Sequence, residues 1–475
     1  MDSLLFDFRT LLCFFLFILV AFKLRKNLNQ INSTSKIAPA PWKLPILGDI
    51  HHLATSTPHR KLRDLSKIHG PLMHLQLGEI FTIVVSSAEY AKEVMKTHDI
   101  IFASRPQILA AKVISYDCTS IALAPYGNYW RQLKKICTLE LFTSKRVDSF
   151  RPIREEEFTS LIKRIIVVAN NNNGSPVNLT QEVFSTIYTI TSRAAFGMKF
   201  KDQERFISLA KELAKVGTGF SLGDFFPSAK WLQLVSGLRP KIEKLHGQTD
   251  QILQNIINEH KVAKSSKSKE GQGEVEGLLD VLLRFEDGSG SNQDFSLSSN
   301  NIKTIILINI TNNSFLRISL VLVTATTIDW AMAEMIKDPT IMNKAQDEVR
   351  ENFNKKGRVD ETCLYKLKYL KSVVKETLRL HPPVPLLLPR ECRSACKING
   401  YYIPFGAGKR MCPGTALGVI NVELALAYLL YHFDWKHPSE MRMEELDMTE
   451  ALGVTVRRKD DLQLVPIGSH PLLEA

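Results

Sequence analysis

The ten residues Phe-Gly-Ala-Gly-Lys-Arg-Met-Cys-Pro-Gly at 405–414 constrain this chain more than any other stretch. They place Cys412 shortly before an apolar run, Thr415-Ala-Leu-Gly-Val-Ile-Asn-Val-Glu-Leu-Ala, that is typical of a helix. The N-terminus of a helix favours a thiolate through its dipole and its unpaired N–H groups, and the proline after the cysteine suits a first helical turn. Gly406 and Gly408 allow the backbone to lie close to a flat ligand. The stretch therefore predicts a loop that presents a thiolate to a ligand.

Two other interpretations of this stretch are weaker. A nucleotide-binding P-loop requires a glycine five residues before Gly408 and a Ser or Thr after Lys409, and the chain has neither. An inert buried cysteine is the usual fate of a lone thiol, but it does not account for the glycines or for the basic pair Lys409-Arg410. A thiolate ligand to haem iron accounts for all of these features.

The pattern Phe-Gly-x-Gly-x-Arg-x-Cys-x-Gly resembles the haem-binding loop of the cytochrome P450 family at every fixed position. The resemblance implies a mainly α fold with small β-sheets, haem b as the cofactor, and Cys412 as iron ligand and catalytic centre. It assigns haem contacts within the loop to Phe405, Gly406, Gly408, Arg410, Cys412 and Gly414. Near the start, Pro41-Trp-Lys-Leu-Pro-Ile-Leu-Gly48 is similar to microsomal plant subfamilies that hydroxylate terpenoids and alkaloids.

Hydrophobic periodicity also predicts a mainly helical chain. Alternating residues at 73–78 and clustered apolar residues at 81–85 predict a β-hairpin. A period of 3.6 residues predicts helices over 155–169, 179–196, 239–264, 278–286, 325–353, 367–380 and 415–433. Residues 264–277 and 287–299 have the composition of exposed loops. With 475 residues and no internal repeat, the body is best described as one large domain over 49–475.

The N-terminus predicts a membrane anchor over residues 1–30. An apolar run at 11–22 is followed by Lys23, Arg25 and Lys26, which is the reverse of the charge order of a cleaved signal peptide. Positive charge on that flank predicts a body that faces the cytosol, and the resemblance implies the endoplasmic reticulum membrane. The prolines of residues 31–48 predict a stiff hinge between the anchor and the body.

Net charge and cysteine content limit the binding partners, the cellular compartment and the metal sites that are expected for this chain. The net charge is +12, but no basic stripe interleaved with aromatic residues is present, which argues against nucleic acid and favours membrane lipid and an acidic protein partner. Seven scattered cysteines do not form a secreted disulfide framework and indicate a reducing compartment. Cys392 and Cys396 form a C-x3-C pair, but no second pair follows at the spacing of a zinc site.

Three residues outside the loop are candidate haem contacts. Trp130 and Lys134 lie four apart on a predicted helix and would place an indole N–H and a cation on one face, where they can bind a carboxylate. Taken alone, this pattern is that of an ordinary helix surface. The resemblance implies that Trp130, Lys134, Arg390 and Arg410 bind the haem propionates.

Glu376 and Arg379 are candidate structural residues. Val373, Glu376, Thr377 and Leu380 fall on one helical face, so Glu376 is predicted to interrupt an apolar stripe and to pair with Arg379 at i+3. A surface ion pair is the alternative. The resemblance implies the family's Glu-x-x-Arg pair, which supports the haem core and has no catalytic role.

The chain departs from the family in two places. In the oxygen-activating helix, Leu322 and Val323 stand where the family has an acid and a threonine, and residues 308–323 resemble nothing expected. Neither side chain can donate a proton. At Tyr402-Ile403 two Ile-Pro segments are fused, and about fifty residues of the family are missing, among them the arginine that completes the Glu376–Arg379 network. A shift in helix register would bring Thr324 or Thr311 to the lost position.

The resemblance implies a monooxygenase that inserts one oxygen atom from O2 into a small apolar substrate such as a terpenoid or alkaloid. Electrons would come from NADPH through NADPH-cytochrome P450 reductase. By family position, the substrate pocket would be lined by Ile114, Val384, Leu386 and Val454. The two departures predict the alternative, a catalytically impaired or inactive membrane-tethered remnant.

Overall fold

The computed structural model describes residues 37–475 except 172–174, 198–204, 207, 210–211, 214–215, 217–220, 230, 236, 268–276, 287–295, 311–319, 404–414, 439–445, 453–454 and 473–475. Helices account for most of the described secondary structure. In chain order they are α1 Ile50–Leu53, α2 Pro58–His69, α3 Ala88–Lys92, α4 Leu109–Ile114, α5 Asn128–Ile136, α6 Ser144–Ser149, α7 Arg151–Asn171, α8 Leu179–Phe196, α9 Leu222–Phe225, α10 Trp231–Val235, α11 Leu238–Lys267, α12 Leu278–Glu286, α13 Ser299–Ile310, α14 Leu320–Lys337, α15 Pro339–Phe353, α16 Lys368–Leu380 and α17 Thr415–His432.

The strands form small antiparallel sheets. They are β1 Leu72–Leu77, β2 Ile80–Val85, β3 Val177–Asn178, β4 Cys396–Ile398, β5 Tyr401–Ile403, β6 Phe433–Lys436, β7 Glu450–Leu452, β8 Val456–Arg458 and β9 Gln463–Gly468. The pairs are β1 with β2, β4 with β5 and β7 with β8, while β9 lies between β3 and β6. The predicted mainly α fold with small sheets is therefore confirmed.

The described residues separate into two compact units, and each is discontinuous in sequence. The smaller unit contains residues up to 104, 222–232 and 389–409. Its β1–β2 hairpin has Leu77 opposite Ile80, and Gly78 makes the turn at a φ of 63°, a conformation that glycine adopts without strain. The segment at Pro39 is held against this hairpin, because His74 donates its backbone N–H to Pro39 O at 2.8 Å.

The larger unit contains residues 105–221, 233–388 and 410–475. At its centre α14 packs against α8 and α17. Both α14 and α17 are apolar almost all round, as expected for helices buried within a large core. Ala331 and Leu424, one from each helix, are completely buried.

Most of the predicted helices are present, and one prediction needs correction. The helices over 179–196 and 278–286 have the predicted bounds. A single helix was expected over 325–353, but the structure divides it between Lys337 and Pro339. Asp338 caps the second helix by accepting a hydrogen bond from the Thr340 N–H at 3.0 Å, and proline has no N–H with which to continue the first.

The predicted anchor, residues 1–30, lies outside the described residues. Across the part of the chain that the structure describes, no helix combines the length and the apolar character needed to cross a membrane.

Candidate active site

The thiolate loop lies outside the described residues, so its predicted roles stay predictions. This applies to Phe405, Gly406, Gly408, Arg410, Cys412 and Gly414, and likewise to the pocket candidate Val454. The structure does describe the elements on either side of the loop. Strand β5 ends at Ile403, and α17 begins at Thr415, three residues after Cys412.

Trp130 and Lys134 share one face of α5, and they contact each other there. The Lys134 Nζ atom lies 5.1 Å from the centroid of the Trp130 ring, a cation–π distance. The indole N–H of Trp130 is donated to the backbone carbonyl of Ile121 at 2.8 Å. The Trp130 indole N–H is thus donated within the protein and its ring contacts the Lys134 ammonium, while the role of both residues in binding a propionate stays a prediction.

Arg390 carries a buried donor that suits an anionic ligand. Its Nη1 atom is buried and has no hydrogen-bond partner among the described residues. Burial lowers the pKa of the guanidinium to about 10, although the nearby charge of Asp99 acts in the opposite direction. Because a buried charge needs a partner, this guanidinium fits a carboxylate such as a haem propionate. The residues present are therefore compatible with haem b.

Arg105 is a buried arginine that sequence reasoning missed. Its Nε donates to Ala122 O at 3.1 Å and its Nη1 donates to Leu388 O at 2.9 Å. These bonds tie the segment after α4 to the segment that leads to Arg390. The sequence gives little sign of them, since Arg105 and Leu388 are 283 residues apart.

Helix α14 contains both the replaced residues and a candidate substitute. Leu322 and Val323 are half-buried, and neither side chain has a proton to donate. The next residue, Thr324, is buried, and its hydroxyl has no partner among the described residues. Thr311 lies outside the described residues. Thr324 is therefore the described residue near this position with an uncommitted proton.

Farther along α14, Asp329 is a buried acid that the sequence analysis did not single out. Burial raises its pKa to about 6, while the Thr180 hydroxyl, which donates to its carboxylate at 2.5 Å, and the charge of Arg458 act against this. Trp330 beside it donates its indole N–H to Val456 O at 3.0 Å. An acid within an apolar helical run was a visible signal of a buried carboxylate.

The prediction of a buried Glu376 was wrong, although the ion pair itself is present. Arg379 Nη2 lies 2.7 Å from a Glu376 carboxylate oxygen, and both side chains are more than half exposed. Helix α16 buries Leu370, Val373, Val374 and Thr377. The centre of that face is turned away from Glu376, so the acid lies outside the apolar stripe. The surface ion pair, which was the alternative, is the observed state.

The described pocket candidates differ in burial. Ile114, at the end of α4, is completely buried. Val384 is half-buried in a turn in which Leu387 N donates to Val384 O, and Leu386 is exposed. The Val456 N–H donates to Pro383 O, which joins this turn to β8.

A polar cluster beside α4 was also missed. The Tyr116 hydroxyl and Lys303 Nζ both contact the same carboxylate oxygen of Asp250, at 2.5 and 2.6 Å. Burial alone would raise the pKa of Asp250, but these two donors lower it below its ordinary value. Tyr116 has a φ of 48°, a left-handed conformation that is unfavourable for a non-glycine residue. The cluster thus holds a strained backbone segment.

Comparison with known proteins agrees with the sequence pattern. The family model described as cytochrome P450 matches residues 39–404 and 399–464. A protein called cytochrome P450 71D11 from Lotus japonicus is 51% identical over 497 residues, which covers 94% of this chain and 98% of that protein. Premnaspirodiene oxygenase from Hyoscyamus muticus is 43% identical, covering 98% of this chain and 100% of that protein. Germacrene A hydroxylase from Barnadesia spinosa is 43% identical and covers 95% of each chain.

A solved structure shares the fold. A structure of a zebra fish cytochrome P450 with abiraterone matches with a TM-score of 0.70 at 20% identity, covering 88% of this chain and 100% of that one. At this identity the match bears on the fold alone.

Proposed function

This chain belongs to the cytochrome P450 family of haem monooxygenases, and on that premise we propose that it inserts one oxygen atom from O2 into a small terpenoid. The observation that carries the proposal is the similarity, over nearly the whole chain, to an oxygenase of premnaspirodiene and a hydroxylase of germacrene A. An alkaloid is the other substrate class that the sequence pattern suggested.

Haem b, when bound, supplies the activation of dioxygen. In the proposed site Cys412 holds the iron, and Lys134, Arg390 and Arg410 neutralise the propionates. The buried and unpaired Nη1 of Arg390 supports this assignment, because a carboxylate would satisfy it. Trp130 supports the Lys134 ammonium through the face of its ring.

The substrate pocket is proposed to be apolar, with walls from Ile114, Val384, Leu386 and Val454. The complete burial of Ile114 supports a dry environment near the end of α4. Such walls exclude water and orient a hydrocarbon without charged contacts. The exposure of Leu386 makes it the weakest member of the set.

We also propose that NADPH-cytochrome P450 reductase supplies the electrons, with the net charge of +12 favouring an acidic partner. The protein is proposed to be anchored by residues 1–30 in the endoplasmic reticulum membrane with its body in the cytosol. Exposed apolar side chains of the smaller unit support a membrane-facing surface; they include Ile37, Trp42, Leu47, Ile80, Leu222 and Trp231. The Gly78 N–H donates to Leu47 O and the Glu79 N–H to Phe225 O, which brings several of them together.

A catalytically impaired remnant is the second candidate, and specific observations favour it. The family model matches in two segments whose boundary falls at the fused Ile-Pro segment. The alignment with the Lotus protein spans 497 positions but contains only 94% of the 475 residues of this chain. About fifty aligned positions therefore have no residue in this chain. The exposure of Glu376 and Arg379 is also expected if the polypeptide that would complete their network is missing.

Expression with a plant reductase tests both candidates. Microsomes that contain the full chain should be supplied with NADPH and with premnaspirodiene or germacrene A, and products identified by mass spectrometry. Oxidised terpenoid that requires NADPH would support the monooxygenase. Haem-loaded protein that consumes NADPH and releases hydrogen peroxide without product would support the impaired remnant.

The substitutions Leu322→Asp and Val323→Thr, made together, sharpen this test. Because positioned proton donors contribute about 10²- to 10⁴-fold in general acid–base catalysis, the double variant should yield at least about tenfold more product per NADPH. The Leu322→Asn single variant, in which Asn matches Asp without the acid and Val323 has the shape of threonine without its hydroxyl, serves as the control. Equal yields from the two variants would show that these positions do not limit proton delivery.

A further inference from the structure

The C-x3-C pair of the smaller unit has no part in the proposed monooxygenase. Its first cysteine, Cys392, is completely buried. Two backbone hydrogen bonds hold the chain on either side of it, from Glu391 N to Ser104 O at 3.1 Å and from Arg393 N to Ile101 O at 2.8 Å. The position of Cys392 is therefore fixed by its neighbours in a bridge between distant segments.

The second cysteine, Cys396, is the first residue of β4 and is paired with Ile403 of β5. The chain bends between the two cysteines, and the Cys392 thiol donates to Ser394 O at 2.9 Å within this bend. Cys396 is partly buried and packs against the apolar cluster to which Cys392 belongs. Two backbone anchors and a short bend thus place both cysteines at one apolar cluster of the smaller unit.

A metal site and simple packing account less well for this arrangement. Among the described residues no group of three or more potential metal ligands is present, so two thiols would have to hold an ion without further protein ligands. The surrounding side chains are apolar and include Leu72, Val94, Phe102 and Ile398. One thiol would fill such a space as a small apolar group, but packing does not require two thiols at the same cluster.

We propose that Cys392 and Cys396 are a modification site at which a hydroperoxide forms a reversible intramolecular disulfide. In the first step the Cys396 sulfur attacks the peroxide, the O–O bond breaks, and a sulfenic acid and one water form. The Cys392 sulfur then displaces the hydroxyl, the S–S bond forms, and a second water leaves. Both thiols are oxidised by two electrons in total, and one hydrogen peroxide is reduced to two waters.

The order of these steps follows from accessibility. Cys396 is partly exposed whereas Cys392 is buried, so the peroxide reaches Cys396 first. Burial, the neighbouring Cys392 thiol and the charge of Glu93 raise the pKa of the Cys396 thiol to about 11. The thiolate is the nucleophile, so disulfide formation should be slow near neutral pH and become faster by about tenfold per pH unit up to that pKa.

Peptide mapping of the full-length protein tests the site. The purified protein is treated with hydrogen peroxide, the remaining thiols are alkylated under denaturing conditions, and the chain is cleaved with trypsin. Cleavage after Arg390, Arg393 and Lys397 separates the two cysteines into peptides 391–393 and 394–397. We expect these two peptides to be joined, to separate on reduction, and to be joined about a hundredfold faster at pH 9 than at pH 7.

Cys118 provides a matched control, since its thiol is also buried and burial raises its pKa to about 11. Cys118→Ser should leave the joined peptides unchanged, whereas Cys396→Ser and Cys396→Ala should abolish them. The proposal is overturned if peroxide leaves both cysteines open to alkylation, converts them to sulfinic or sulfonic acids without a link, or joins either one to another cysteine. Peptide mapping of the wild-type protein alone distinguishes these outcomes, so the test does not depend on whether a variant folds.

Discussion

Two arginine–carboxylate pairs in the larger unit have nearly the same geometry and opposite surroundings. Arg154 donates two hydrogen bonds to Glu361 at 2.8 and 2.5 Å, and Arg379 donates two to Glu376 at 2.8 and 2.7 Å. The side chains of the first pair are 0% and 9% exposed, whereas those of the second are 66% and 55% exposed. Geometry alone therefore does not show which pair supports the fold. Burial does, because a buried charge that loses its partner has no water to replace it.

The largest effect is expected from breaking the buried pair. Arg154→Ala should lower the free energy of unfolding by about 3–5 kcal/mol, since it leaves the Glu361 carboxylate buried without its counter-charge. It also removes the donor to Val147 O. Urea unfolding followed by tryptophan fluorescence measures the change. A loss below about 1 kcal/mol, the range of surface pairs, would show that burial is not the deciding difference.

The second prediction concerns Asp329, a buried carboxylate whose described hydrogen-bond donor is the Thr180 hydroxyl and not an arginine. Its pKa is raised from 3.8 to about 6, so the folded state favours the protonated form. The stability that proton binding adds is present in full below pH 3.8 and is lost as the pH rises through about 6. Asp329→Asn has no such loss and should be more stable than the wild type by up to about 3 kcal/mol at pH 7 to 8.

The pH profile of the difference between these two proteins is the critical result. The difference in unfolding free energy should grow between pH 4 and 6 and be constant above pH 7. Thr180→Ser, which retains the hydroxyl that donates to Asp329, should behave like the wild type. A difference independent of pH would mean that Asp329 titrates alike in the folded and unfolded chains.

The pair of Lys303 and Asp250 has intermediate burial, with side chains 6% and 33% exposed. Lys303→Met keeps the apolar stem and removes the ammonium, so Asp250 retains only the Tyr116 hydroxyl of its two donors. The expected loss is about 1.5–3 kcal/mol, the range for hydrogen bonds to charged groups. Thermal unfolding at pH 7 measures it, and a loss as large as that of Arg154→Ala would break the predicted order.

The smallest effect is expected at the exposed pair. Arg379→Ala should leave the unfolding midpoint unchanged, since water solvates Glu376 in the variant as it does in the wild type. High salt should not alter this result. If Arg379 belonged to a buried structural network, its replacement would lower the unfolding midpoint at any salt concentration. A marked drop in the unfolding midpoint would contradict the observed exposure and indicate that polypeptide covers this face of α16.

Local patterns in the sequence predicted much of the fold, but they could not predict polar contacts between residues that are distant in sequence. Regular apolar periodicity gave the bounds of α8 and α12, whereas the break before Pro339 depends on a cap that a count of apolar residues ignores. Glu376 was misplaced because adjacent faces of a helix share residues, and Val373 and Thr377 belong to both. Arg154 and Glu361 are 207 residues apart, and nothing local connects them.

The same division applies to the candidate site. A compact motif identified Cys412, because glycines, basic residues and the cysteine occur within ten residues. The missing donor pair at Leu322-Val323 was visible only by resemblance. The unpaired hydroxyl of Thr324 and the unpaired Nη1 of Arg390 required coordinates, since burial at the level of single atoms depends on every neighbouring segment.

The central claim is that Cys412 still presents a thiolate to haem iron, and the reduced carbon monoxide spectrum tests it most directly. The full chain, expressed with a haem precursor and reduced under carbon monoxide, should show thiolate-type absorbance, and Cys412→Ser should lose it. A folded chain that takes up no haem, or that gives the same spectrum with and without Cys412, would contradict the claim.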